Sequence, residues 1–288
     1  MTVRLLADQD MCILEEYLFP YKTQCMFILS NLRTAGIDYK GQMYQGEYFG
    51  YFSGDAQKKC QLCGVIVHYW NGNVMMCAPN RRILKSLVAF LKPNASRSIE
   101  GVLGENTQAE YVIKELGLSD ALFSINSNEK LYELFLENFQ KPELPTDFNV
   151  VSAQEIPKEI LLKWMQAYDA EALGISRQED HDNSVEYDIS QRLKKKNTWV
   201  LLAQGVPVSL SAFNARIEDM VQVGPVWTPP EYRNKHFARM LLAYTLYEEK
   251  EKGIQKAILF TNNACAIKAY LSVGFIKVGN FRLSLLKK

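Results

Sequence analysis

The sequence predicts a mixed α/β protein made of two tandem units, each a mixed, mostly antiparallel sheet flanked by helices. Three observations carry that expectation. Segments with apolar residues at helical spacing alternate along the chain with short segments of β-branched and aromatic residues bounded by turn signals. The order of these segments in the first half recurs in the second, as expected of an internal duplication. Between the halves, residues 139–150 carry Pro142 and Pro145 with little periodicity, which divides the chain into units at 1–138 and 151–288 joined by that linker.

In the first half, two helices precede Gly36. Strands follow at 46–53, 61–70 and 73–78, the last two joined by the hairpin pair Asn71-Gly72. Pro79 opens a helix to 91, residues 98–103 read as a strand, and 106–116 read as a helix closed by Gly117. In the second half, Ser152 and Glu155 fit a capping box and Pro157 suits a first helical turn. Ile160, Leu161, Trp164, Met165 and Tyr168 then share one helical face before Gly174. A second helix over 184–196 aligns Val185, Ile189 and Leu193. Strands at 198–204, 208–217 and 220–228 form an antiparallel meander through the turns at Gly205 and Glu218-Asp219. A helix over 234–252 turns Phe237, Leu241, Leu242, Thr245 and Leu246 inward. A strand at 256–261, a helix at 264–273 closed by Gly274 and an extended end at 275–286 complete the order. Asn106, Ala109 and Gly117 have the spacing of Asn263, Ala266 and Gly274, and this register sets Ile113 opposite Tyr270.

Composition limits the partners. Lys and Arg total 33 against 32 Asp and Glu, so a net charge of +1 supplies no field for nucleic acid or a membrane surface, and an anionic ligand must be held by local groups. No apolar run is long enough to cross a bilayer, and Asp8 interrupts the start before a secretory segment could form, so the cytoplasm is the expected compartment. Cys12, Cys25, Cys60, Cys63, Cys77 and Cys265 therefore read as reduced thiols without disulfides. Cys60 and Cys63 lack the second pair that a structural zinc requires, and no metal is expected. His68 reads as a packed strand residue, and His181 as part of an acidic loop.

Chemistry concentrates between Val223 and Leu242, where a strand, a polar loop and a helix start follow one another. Free backbone N–H groups and the helix dipole there suit a pyrophosphate, with Arg233, Lys235 and Arg239 adding positive charge.

The run Arg233-Asn234-Lys235-His236-Phe237-Ala238 resembles the phosphate loop, Arg/Gln-x-x-Gly-x-Gly/Ala, of the GNAT superfamily of acyl-CoA-dependent N-acyltransferases. His236 stands where the family usually has glycine. The approach Thr228-Pro229-Pro230 and the spacing of Asn263, Ala266, Tyr270 and Gly274-Phe275 are also similar to that family. The resemblance covers about 150–288; the first half shares only element order and a few positions, and its helix start at Ala78-Pro79-Asn80-Arg81 lacks the loop. It implies two GNAT-like units, the first degenerate, and acetyl-CoA or a similar acyl-CoA as co-substrate. Val223, Val226 and Trp227 would pair with the pantetheine arm, residues 233–238 would hold the phosphates, and Asn263 and Ala266 belong to the same site. A backbone N–H near Val226 would stabilise an oxyanion, and Tyr270 would protonate the departing thiolate. The implied acceptor is a small-molecule or peptide amine.

No spacing fixes the general base: Glu171, Glu218, Asp219 and solvent all stand open. A non-catalytic acyl-CoA sensor is the rival reading, and a metal module on Cys60, Cys63 and His68 is a weaker one.

Overall fold

Helices begin and end where their capping chemistry directs. In the computed structural model, residues 2–54, 61–174 and 179–287 are described, the side chains at 173 and 179–184 excepted. The elements run β1 (Thr2–Leu5), α1 (Met11–Leu18), α2 (Lys22–Ala35), β2 (Gly46–Ser53), β3 (Gln61–Tyr69) and β4 (Asn73–Cys77). Next come α3 (Arg81–Asn94), β5 (Gly101–Glu105), α4 (Asn106–Leu116), β6 (Phe123–Phe135), β7 (Phe148–Ser152), α5 (Lys158–Leu173) and α6 (Glu179–Lys195). The chain then forms β8 (Thr198–Ala203), β9 (Val206–Ile217), β10 (Met220–Trp227), α7 (Phe237–Glu251), β11 (Lys256–Thr261), α8 (Ala264–Val273) and β12 (Ile276–Leu286). Gly117, Gly174 and Gly274 close α4, α5 and α8 in the left-handed conformation expected of C-caps. Among the described residues no helix is long and apolar enough to cross a membrane.

The chain forms two compact units. The first runs to Leu131 and takes back the chain from Val278 onward; the second is Tyr132–Lys277. In the first, the strand order is β1-β2-β3-β4-β5-β12-β6, and in the second it is β6-β11-β10-β9-β8-β7. Strands β6 and β12 thus each belong partly to both units. The pairs β1–β2, β2–β3 and β3–β4 are antiparallel, as are β7–β8, β8–β9 and β9–β10, whereas β4–β5 and β10–β11 are parallel. Strand β12 runs antiparallel to β5, with Phe281 opposite Glu105 and Leu285 opposite Gly101.

These units differ from the expected 1–138 and 151–288. Strand β7 lies largely in the stretch read as a linker, and β12 completes the first sheet although it follows the second unit in sequence. The capping box at Ser152 exists, but it caps a single turn at Ala153–Glu155, and α5 starts after Pro157. Asn106 and Asn263 share a spacing but not a role. Asn263 caps α8, whereas Asn106 is already inside α4, whose cap is Glu105.

In the second unit, one face of the sheet packs Val221, Val223 and Leu259 against Leu242 and Leu246 of α7. The other packs Val200, Leu210 and Trp227 against Trp164, Met165 and Ile189 of α5 and α6. Each such leucine contributes about 1.5–3 kcal/mol on full burial. The buried Glu249 pairs with Arg216 of β9 and, at 3.0 Å, with Lys252, which ties the end of α7 to the sheet.

If β12 serves the first unit, a chain ending at Phe275 should leave β5 as a sheet edge. Amide exchange at residues 101–105 is then expected to accelerate strongly, and unchanged protection there would refute the exchange of strands.

Candidate active site

The site starts from a break in pairing. Strand β10 is matched to β11 only from Met220 to Gln222, opposite Lys256 to Ile258. Beyond Gln222 the two strands part, while β10 keeps its pairing with β9 through register shifts on either side of Val223. Gly224 makes this bulge feasible: its φ is +151°, and a β-carbon there would meet Asn214 Nδ2 at 2.8 Å. Ser209 Oγ donates to the Trp227 carbonyl at 3.1 Å, so that carbonyl faces β9. Strand alternation then turns the N–H and C=O of Val226 the other way, toward the side that β11 has left. Between Val223, whose carbonyl accepts from Gln222 Nε2 at 2.7 Å, and Trp227, whose carbonyl turns to β9, Val226 therefore offers its backbone N–H and C=O to the side that β11 has left.

At the end of this edge a short turn at Pro230–Tyr232 leads to α7. The helix starts at Phe237, later than expected, because Asn234 (φ +62°) and His236 (φ +63°) are left-handed and cannot belong to it. His236 occupies the N-cap position without a side-chain cap, so among the described residues nothing caps the first N–H groups of α7, at Phe237, Ala238 and Arg239. Asn234, Lys235, His236 and Arg239 are exposed around them, and Lys235 lies 5.9 Å from the Tyr232 ring. Arg233 points elsewhere. Its Nε donates to the Thr228 carbonyl at 3.0 Å, its Nη2 meets Glu171 at 2.8 Å, and its guanidinium lies 4.9 Å from the Trp227 ring. It braces the loop against α5, and its partner Glu171 is one of the carboxylates open as a base. Glu218 and Asp219 precede Met220, and six steps along the strand lead from Met220 to Val226, at most roughly 20 Å. That distance separates both carboxylates from Val226.

On α8, the Asn263 side chain accepts from the N–H groups of Cys265 and Ala266, both at 3.0 Å, so its work is to start the helix. Ala266 is half-buried, and Tyr270 packs on Phe275 at 5.9 Å between ring centroids. Burial raises the Tyr270 phenol above its ordinary pKa, and the nearby Tyr168 adds to the shift. Tyr168 comes from α5 and stands edge-on to Trp227 at 6.3 Å. The phenol is thus a protonated donor throughout the neutral range.

The first unit has the same parts with their polar groups already satisfied. Strand β4 leaves β5 after Met75, but Gln108 Oε1 accepts the Ala78 N–H at 2.7 Å within that opening. The start of α3 is capped by Asn80, whose Oδ1 accepts the Arg82 N–H at 2.8 Å. Cys60 lies outside the described residues, as does the side chain of His181. Cys63 Sγ is 3.0 Å from Ser53 Oγ, and His68 is fully buried beside the Ser98 carbonyl at 3.2 Å.

Residues 158–275 match the family model of the acetyltransferase (GNAT) family. They form a GNAT acetyltransferase domain. The chain also shares its fold with solved GNAT structures along nearly its whole length. An acetyltransferase of the GNAT family from Colwellia psychrerythraea is 13% identical, with 99% of this chain and 100% of that one covered at a TM-score of 0.53. A tandem GNAT protein from the clavulanic acid biosynthesis pathway is 10% identical over 98% of this chain and 97% of that one, at 0.57. A Drosophila protein of a structural genomics programme is 12% identical over 99% and 98%, at 0.62. No curated protein matches the sequence. The fold is that of two tandem GNAT-like units, and the family signature falls on the second.

Within the GNAT domain the sequence reading missed three features. The tie between Arg233 and Glu171 spans 62 residues and leaves no local signal. Tyr168 was read only as a core residue. Gln222, a lone amide in an otherwise apolar strand, was visible but unread; it is 2% exposed, and among the described residues its Oε1 has no hydrogen-bond partner, as is also true of Ser211 Oγ and Trp227 Nε1.

His236→Gly should relieve about 1 kcal/mol of left-handed strain while adding a similar entropy cost in the unfolded chain. Thermal stability should change little, and calorimetry should find CoA affinity kept or raised. A folded variant that loses most of its CoA affinity would instead assign the contact to the imidazole.

Proposed function

We propose that the chain is an N-acetyltransferase that takes acetyl-CoA, or another short acyl-CoA, in its second unit and passes the acyl group directly to an amine. The observation that carries this reading is the contrast between two helix starts. The one at His236 is uncapped, beside an open strand edge, while its counterpart at Asn80 is closed by its own side chain. The donor and acceptor pattern fits a phosphorylated pantetheine: an open strand position at Val226, then N–H groups with the positive end of a helix dipole.

Phe237, Ala238 and Arg239 would hold the pyrophosphate through their N–H groups, with Lys235 and Arg239 adding charge and Asn234 and His236 shaping the loop. Val223 and Val226 would align the arm by backbone hydrogen bonds, and Trp227 would wall the site. Bound acyl-CoA supplies an activated thioester. The Val226 N–H, turned toward the opening, is placed to stabilise negative charge on the carbonyl oxygen. Tyr270 donates its proton to the departing sulfur, for which a phenol kept protonated by burial is suited. Proton removal from the amine is assigned to solvent or to Glu171 once Arg233 is engaged otherwise. Asn263 and Ala266 contribute by setting the start of α8, and hence the position of Tyr270.

The test is acetyl-CoA consumption with a panel of primary amines, comparing wild type with Tyr270→Phe. The ring keeps its packing on Phe275, so the melting temperature and CoA affinity should hold while turnover falls by about 10²-fold or more. The wild-type rate should show no alkaline decline from this group below about pH 10, the ordinary tyrosine value. An unchanged chemical step in Tyr270→Phe would return Tyr270 to a packing role. Absence of transfer to any amine, despite CoA binding, would favour the non-catalytic reading.

A further inference from the structure

We propose that Gln222 holds the acceptor nitrogen: its Oε1 accepts an N–H from the incoming amine, which selects primary over secondary amines. The proposal rests on the acyltransferase reading above and adds the acceptor side to it.

Gln222 is the last residue of β10 still matched to β11, opposite Ile258, so its side chain stands at the apex of the opening. Its neighbours Val221 and Val223 belong to the core against α7 and α8, and strand alternation places Gln222 on the opposite face, toward α5 and α6. Asn214 lies on that face too, held there by Arg192 of α6 through a 2.8 Å hydrogen bond to its Oδ1. The bare Gly224 lets the Asn214 amide pack close beside Gln222: a β-carbon there would lie 2.8 Å from Asn214 Nδ2 and 3.7 Å from Gln222 Nε2.

The orientation of the amide is fixed. Nε2 donates to the Val223 carbonyl at 2.7 Å, and a carbonyl can take only the nitrogen end. Oε1 is therefore the other end, buried and, among the described residues, without a partner. A buried acceptor is disfavoured unless a donor meets it, and at the apex of this opening the donor is the nucleophile. A glutamine takes no proton at neutral pH, so it orients the nitrogen lone pair and does not act as base. A primary amine loses one N–H on acyl transfer and keeps another for Oε1. A secondary amine keeps none, so its product leaves the acceptor unmet.

The full chain is titrated calorimetrically with CoA and with two S-alkylated forms. S-carboxamidomethyl-CoA carries an amide NH₂ beyond the sulfur, and S-acetonyl-CoA carries a methyl group at the same place. Wild type should bind the amide form about tenfold more tightly than the acetonyl form, the value of one buried hydrogen bond. Gln222→Met should lose that preference while binding unmodified CoA like wild type. Equal affinities on wild type, or a preference that survives in Gln222→Met, would overturn the proposal and leave CoA binding standing. Failure of wild type to bind CoA itself would overturn the acyltransferase reading, and this one with it.

Discussion

Strand β10 stops pairing with β11 at Gln222, and the chemistry available to the second unit depends on that break. Parallel strands that stayed together would satisfy each other's backbone groups and leave no edge for a ligand. The register shifts around Val223 and the bare Gly224 turn β10 away while β9 still holds it. The same strand then leads, through Trp227 and the Pro229-Pro230 turn, to a helix whose first N–H groups have no cap. The open edge and the uncapped helix start are consecutive parts of one chain path. Both need the rigid frame behind them, where α7 is packed on Val221 and Val223 and tied at its far end by Glu249.

The first unit shows what the same topology does when its own side chains meet these groups. Its parallel pair also parts, yet the Gln108 amide takes the Ala78 N–H and Asn80 caps α3. A ligand there would have to displace two intramolecular hydrogen bonds, each contributing on the order of 1 kcal/mol, before gaining its own. With Ile113 in the register of Tyr270, the first unit keeps the scaffold but has no phenol at that position and no uncapped start to α3. Its structural work includes providing the strand β5 against which β12 closes.

The sequence made local features legible and non-local ones obscure. The bounds of α4, β11 and α8 follow from caps, glycine stops and periodicity within a few residues of each other, and they coincide with the expected ranges. Strands β1, β6 and β7 escaped notice. Strand β6 carries polar residues from Ser124 to Lys130, and β7 is half-buried in a proline-marked stretch. Nor could spacing reveal that β12 pairs with β5, a partner about 180 residues away. At the site, the loop motif marked the approach to α7, whose start lies at Phe237 rather than at the expected Asn234. The left-handed backbone of His236 explains why glycine is common at that position, which residue identity alone could not decide. Arg233 illustrates the limit of motif reading: its place in the loop suggested phosphate, whereas its contacts brace Trp227 and Glu171.

The central claim is that one helix start, and not its counterpart, is the anion site. Amide chemical shifts of the ¹⁵N-labelled full chain, followed during titration with CoA, address it directly. Saturable shifts are expected at Phe237, Ala238 and Arg239 and along Val223–Trp227, with Ala78, Arg81 and Arg82 unmoved. Shifts centred on Ala78 and Arg82, with α7 silent, would contradict the account.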